Sequence, residues 1–68
     1  MDKSDLMKLK KYLSCSGALD AQNADLIDDA IYQWDKNRYL AQKRLRALAD
    51  HLERKGFREE ANTVKRFY

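Results

Sequence analysis

A seven-residue apolar repeat runs through the middle of the chain and limits what it can fold into. Steps of four and three residues alternate through Ile27, Ile31, Trp34, Arg38, Ala41, Leu45, Leu48 and Leu52. This spacing lines up the eight side chains, here called the seam, along one side of an α-helix. Because the seam is apolar except at Arg38, we expect it to be covered by other helices, either of the same chain or of a partner protein.

Composition favours an all-α fold. The chain of 68 residues has no proline and only two glycines, and 37% of its residues are charged. A lone core of this size supplies only roughly 3–5 kcal/mol, so self-association is common among such small domains. We predict one small helical domain over residues 1–68 that forms a self-associating bundle, most simply a homodimer.

Apolar spacing and capping residues predict three helices, over residues 4–15, 21–54 and 57–67. The central helix would extend close to 50 Å at ~1.5 Å per residue. Its weakest stretch is Asp35-Lys36-Asn37, where a kink or a break would occur. Gly56 is suited to end it in the left-handed conformation, after which the last helix folds back as a helical hairpin.

Cysteine usage and hydropathy indicate a compartment. Cys15 is the only cysteine, which excludes an intramolecular disulfide and a multi-cysteine zinc site. The sequence has no N-terminal apolar signal region and no apolar run long enough to span a bilayer. We therefore predict a soluble, cytoplasmic protein without a membrane partner.

Residues suited to catalysis are few. His51 is the only histidine, and Cys15 lies on a different predicted helix, so a nucleophile and base pair is not indicated. Asp25, Asp28 and Asp29 have the spacing of one helix face, but the positive end of the helix dipole accounts for them without a metal ion. We expect no enzymatic activity, no cofactor and no metal site.

Charge is distributed unevenly. Residues 1–34 carry four lysines against six aspartates, whereas residues 35–68 carry ten basic against five acidic side chains. Lys36, Tyr39, Lys43 and Arg46, here called the basic face, recur on the side of the helix opposite the seam. Basic and aromatic side chains together suit nucleic acid, although a charged outer face also serves solubility. The nucleic-acid hypothesis names eight contact residues: Lys36, Tyr39, Lys43, Arg44, Arg46, Arg54, Lys55 and Arg58.

Arg38 interrupts the seam at its midpoint and leaves three interpretations open. Its aliphatic stem packs along the seam while its charge reaches water, its guanidinium stacks on Trp34 one turn earlier, or it pairs with an acidic group such as Asp35 of another subunit. The aromatic pair Phe67 and Tyr68 leaves two more: it anchors a partner interface or it closes the hairpin.

The sequence favours a non-enzymatic interaction protein that docks on a larger protein as an adaptor, inhibitor or accessory regulator. The seam is the surface expected to mediate this contact. The alternative is a dimeric nucleic-acid-binding regulator that uses the basic face.

Overall fold

Four α-helices make up this protein, in a computed structural model that describes residues 2–68. They are α1 (Lys3–Cys15), α2 (Ala21–Gln33), α3 (Arg38–Arg54) and α4 (Arg58–Lys65). No strand occurs within the described residues, so the predicted all-α class is confirmed. None of these helices has the length and apolar character needed to cross a membrane.

The predicted single helix over residues 21–54 is wrong, because it is divided into α2 and α3. The backbone N–H groups of Lys36 and Asn37 both donate to the carbonyl oxygen of Gln33, at 3.0 and 2.7 Å, and form a tight turn. Asn37 leaves the helical conformation and its side-chain oxygen accepts the N–H of Leu40 at 3.1 Å, which caps α3. Asparagine is among the best N-cap residues. The longest dimension of the described residues is accordingly 31 Å.

The turn between α2 and α3 folds the seam back on itself. Polar contacts between the two helices join Asp20 with His51 and Asp29 with Arg44, so the chain directions are opposite. Each helix packs on the helices that precede and follow it in the chain, and α4 returns to contact α1. The two halves of the seam therefore meet inside a ring of four helices.

The core is formed by apolar residues from all four helices and from the α1–α2 loop. Leu6, Leu13, Ile27, Leu45, Leu48, Leu52 and Val64 are the largest fully buried apolar side chains. The remaining buried apolar residues are Leu9, Ala18, Ala30, Trp34, Ala41, Ala49 and Ala61. Asn23 is the one buried polar residue identified within residues 2–68, and its side-chain amide donates to the carbonyl oxygen of Ala18 at 2.9 Å.

Two glycines end helices in the same way. At Gly56, with φ +91°, the N–H groups of Gly56 and Phe57 donate to the carbonyls of Glu53 and Leu52, which is the Schellman arrangement. Gly17, with φ +72°, ends α1 with the equivalent pair of bonds. A side chain other than glycine would be strained in this left-handed conformation.

The ends of the first and last helices differ slightly from their predicted positions. The N-cap of α1 is Asp2, whose side chain exchanges hydrogen bonds with Asp5 in a capping box, so α1 begins one residue before its predicted start at residue 4. Helix α4 is shorter than predicted at both ends and has Phe57 as an N-cap without a side-chain hydrogen bond.

Candidate binding surface

The seam is mostly buried by helices of the same chain. Ile27, Trp34, Ala41, Leu45, Leu48 and Leu52 are buried, Ile31 is half-buried and Arg38 is exposed. In this fold the seam is therefore a core element rather than a surface open to a partner protein. The homodimer stays a prediction, and its interface would have to use other residues.

Arg38 lies over Trp34, as in the stacking interpretation. Its Cζ atom is 3.8 Å from the centroid of the indole ring. Its Nε–H also donates to the carbonyl oxygen of Trp34 at 3.0 Å, which satisfies an acceptor at the end of α2. The guanidinium of Arg38 thus covers the indole ring of Trp34 at the end of α2.

The basic face lies on the outside of the molecule. Lys36 belongs to the α2–α3 turn, whereas Tyr39, Lys43 and Arg46 lie on α3, and all four are exposed. Tyr39 is 76% exposed, more than any other large apolar or aromatic residue described. A phenol ring with this exposure contributes little to folding and is accessible to a partner.

The cations of the basic face have no acidic partner within residues 2–68. Lys36 Nζ lies 4.9 Å from the ring centroid of Tyr32, and Arg46 Cζ lies 5.5 Å from that of Tyr68. No carboxylate of the described residues forms an ion pair with Lys36, Lys43 or Arg46. Their charge is therefore available to an anionic partner.

A shallow groove between α3 and α4 borders the basic face. Its lining includes Lys43, Arg46, Ala49, Asp50, Lys65 and Tyr68. Both acidic side chains at this groove are paired, Asp50 with Arg54 and Glu53 with Lys65. The hydrogen bond to Glu53 raises the pKa of Lys65 above its ordinary value, so this pair stays charged and mutually compensated. The unpaired charge at the groove is positive.

The other predicted nucleic-acid contacts are largely engaged within the molecule. Arg44 Nε donates to Asp29 at 2.7 Å, Lys55 Nζ donates to Asp20 at 2.7 Å, and Arg54 pairs with Asp50. Arg58 is exposed and is separated from the basic face along the chain by the α3–α4 turn. The structure therefore leaves Tyr39, Lys43 and Arg46 exposed on α3, with Lys36 exposed in the preceding turn, whereas Arg44, Arg54 and Lys55 are engaged in ion pairs.

The aspartates of α2 connect helices. Asp28 accepts from Lys10 of α1 at 2.6 Å, and Asp29 accepts from Arg44 of α3. Within residues 2–68 no group of three acidic, histidine or cysteine side chains is arranged to hold a metal ion. The sequence contained no signal for these pairs, because they depend on how α1 and α3 pack on α2.

His51 and Asp20 form the one pairing of a histidine with a carboxylate among the described residues. The side chain of Asp20 accepts from Lys55 Nζ, from the backbone N–H of Asn23 at 2.9 Å and from His51 Nε2 at 3.2 Å. These hydrogen bonds, led by the one from Lys55, hold the pKa of Asp20 well below its ordinary value. Because Asp20 also caps α2, the cluster links the α1–α2 loop to the end of α3.

We expect Asp20→Asn to lower the melting temperature by a few degrees at pH 6. Asparagine keeps the N-cap but loses the charge that Lys55 and His51 bind. Because the folded pKa of Asp20 is lowered, its contribution is complete above the ordinary aspartate value of about 3.9 and is lost as pH falls below it. The deficit of the variant should therefore shrink toward pH 2 in thermal melts followed by circular dichroism.

Asp25→Asn is the matched control for Asp20→Asn. Asp25 is an exposed aspartate of α2 without an ion pair in the described part of the chain. This variant should melt close to the unmodified protein at both pH values. A deficit for Asp20→Asn that stays constant from pH 6 to pH 2 would contradict the proposed role of the Asp20 charge.

Comparisons with known proteins add no family assignment. No family model, curated protein or solved structure matches this chain. Functional conclusions therefore depend on the chemistry of the molecular surface.

Proposed function

We propose that this protein is a non-enzymatic helical interaction protein that docks on an acidic surface of a larger protein through the basic face. Such docking would make it an adaptor, an inhibitor or an accessory regulator. The observation that carries the proposal is the exposure of Tyr39 beside cations that have no acidic partner in residues 2–68.

Residue chemistry supports a protein partner. Tyrosine and arginine are enriched among the residues that dominate binding energy at protein interfaces. Lys43 and Arg46 would steer an acidic partner toward α3, and Tyr39 would supply apolar area at low entropic cost. Seven residues of α3 separate Tyr39 from Arg46, a span of about 10 Å at ~1.5 Å per helical residue, which matches about two turns of a partner helix.

A photo-crosslinking experiment tests the proposal. The photoreactive amino acid p-benzoylphenylalanine replaces Tyr39 in a tagged protein, which is exposed to lysate of the source cells and then treated with nuclease and high salt. We expect one stoichiometric protein partner to be crosslinked. The same probe at Asn62, an exposed position of α4, should not capture it.

Charge reversal provides the matched control. Lys43→Glu with Arg46→Glu should abolish crosslinking from position 39. Lys8→Glu with Lys11→Glu makes the same change in net charge on exposed lysines of α1 and should leave it intact. Equal crosslinking by both double variants would overturn the proposal.

A dimeric nucleic-acid-binding regulator is the second candidate, and the same exposed Tyr39 favours it because a base can stack on its ring. Anisotropy of labelled oligonucleotides at several salt concentrations tests it. With three phosphates neutralised by Lys36, Lys43 and Arg46, the slope of log K against log salt for duplex DNA would be about −3. Sedimentation of the same samples reports whether the protein is a dimer.

A further inference from the structure

The bundle end next to the basic face holds a cluster of aromatic and cationic groups. Phe67 and Tyr68 follow the end of α4, and Phe67 packs against the core. The ring of Phe67 meets that of Trp34 edge-on, with centroids 6.5 Å apart and planes at 71°. Tyr68 lies beneath the guanidinium of Arg46, and Arg38 covers the indole of Trp34. Contacts thus run from Arg38 through Trp34 to Phe67, and the next residue, Tyr68, contacts Arg46.

Trp34 has a polar group that the fold leaves unpaired. Its indole Nε1–H is buried, and no acceptor among the described residues receives it. The whole residue is only 3% exposed. Leaving a buried donor without an acceptor is costly, and most buried polar groups in proteins avoid it. An acceptor supplied by a ligand would remove that cost.

Few backbone hydrogen bonds hold Phe67 and Tyr68. Beyond α4 the backbone is fixed only by single-turn hydrogen bonds, from Arg66 N–H to Thr63, from Phe67 N–H to Val64 and, at 3.5 Å, from Tyr68 N–H to Lys65. Phe67 is half-buried and Tyr68 is 37% exposed. Displacing them loses the packing of Phe67 on the core and the contact of Tyr68 with Arg46, which a partner ring and carboxylate in the same places would replace.

We propose that Phe67 and Tyr68 cover a subsite for an acidic segment of a partner protein that carries an aromatic side chain. The partner ring takes the place of Phe67 beside Trp34, and the adjacent carboxylates bind Arg38 and Arg46 and bring an acceptor to the indole N–H. Neither arginine has a carboxylate partner within residues 2–68, so both charges are available. This inference depends on the proposed function, because Arg46 belongs to the basic face.

Trp34 is the only tryptophan and reports directly on the subsite. The probes are two short blocked peptides of aspartate and glutamate, one with a central phenylalanine and one with serine in its place. We expect the phenylalanine peptide to shift the emission of Trp34 and to bind about tenfold more tightly than the serine peptide. Equal affinities, or an unshifted emission at saturation, would overturn the inference.

A double variant tests the covering role of the two rings. Phe67→Ala with Tyr68→Ala should bind the phenylalanine peptide several-fold more tightly than the unmodified protein, because no ring has to be displaced. Met7→Ala, which changes a 60% exposed side chain on α1, is the control and should leave the affinity unchanged. Affinity that falls or stays the same in the double variant would contradict the proposal. If the double variant fails to melt cooperatively, the inference is tested by the change in Trp34 emission when the phenylalanine peptide binds the unmodified protein.

Two further outcomes separate this inference from the proposed function. If both peptides bind with equal affinity and lose binding in Lys43→Glu with Arg46→Glu, the basic face binds acidic protein segments and only the subsite is refuted. The subsite would also be refuted if a single-stranded oligonucleotide with the same net charge as the phenylalanine peptide bound more tightly than that peptide. Crosslinking from position 39 is independent of Trp34 and tests the docking itself.

Discussion

Leu48→Asp is expected to unfold the protein. Leu48 of α3 is fully buried in the core. Truncating such a leucine to alanine costs about 2–5 kcal/mol, and a buried carboxylate adds the cost of an unpaired charge. Because a domain of this size has only roughly 3–5 kcal/mol of stability, little folded protein should remain. Far-ultraviolet circular dichroism should show a loss of most helical signal at 25 °C.

The adjacent residue provides the control for Leu48→Asp. Ala47 is exposed on the same helix, so Ala47→Asp introduces the same carboxylate without burying it. Its cost should be limited to helix propensity, about 0.7 kcal/mol, and the variant should melt cooperatively. A Leu48→Asp protein with an unchanged melting temperature would mean that the seam is not buried within one chain.

Trp34→Ala is expected to lower the free energy of unfolding by about 3–5 kcal/mol, the range for removal of a large buried aromatic side chain. The variant loses the ring that Arg38 covers and that Phe67 meets edge-on. For a domain of this length, 1 kcal/mol shifts the melting temperature by about 4–8 °C, so the decrease should exceed about 12 °C. Because this loss is comparable with the roughly 3–5 kcal/mol of stability of such a domain, thermal melts and urea titrations followed by circular dichroism should show a large unfolded fraction of the variant at 25 °C.

Trp34→Phe separates the contribution of apolar packing to stability from the contribution of the indole N–H. Phenylalanine keeps much of the apolar packing and removes the donor that has no acceptor in the described structure. Because phenylalanine is smaller than tryptophan, the variant leaves a small cavity that costs part of what Trp34→Ala costs, and the removal of an unpaired donor offsets some of that cost. Equal destabilisation by Trp34→Ala and Trp34→Phe would contradict this assignment.

The sequence was sufficient to predict the helical class and which side of the central segment is apolar. It was not sufficient to decide what covers the seam. Asn37 is a strong N-cap residue, yet an asparagine inside a helix costs only about 0.7 kcal/mol, so local preference alone does not require a break. The break becomes favourable because it lets α2 pack on α3 of the same chain, which buries Ile27 and Trp34 together with the half of the seam from Ala41 to Leu52.

The outward position of the basic face was predictable, because three- and four-residue steps opposite a buried stripe lead to solvent. The ion pairs that engage Arg44 and Lys55 were not predictable. Their partners, Asp29 and Asp20, are 15 and 35 residues away in the chain, and only the register of α2 against α3 and of the α1–α2 loop against the end of α3 brings them close. For the same reason, the unpaired N–H of Trp34 could not be recognised before the fold was known.

The order in which the four helices pack on one another has a kinetic consequence. Because each helix packs mainly on its neighbours in the chain, most of the interface between helices closes through short loops, while the contact between α1 and α4 and the Asp20–Lys55 pair join distant segments. Contacts between neighbouring helices form with little loss of loop-closure entropy, so we expect folding within microseconds to milliseconds, the range of helical bundles. The molecule can thus assemble by successive pairing of neighbouring helices, and the arrival of α4 at α1 is the step in which the longest loop closes.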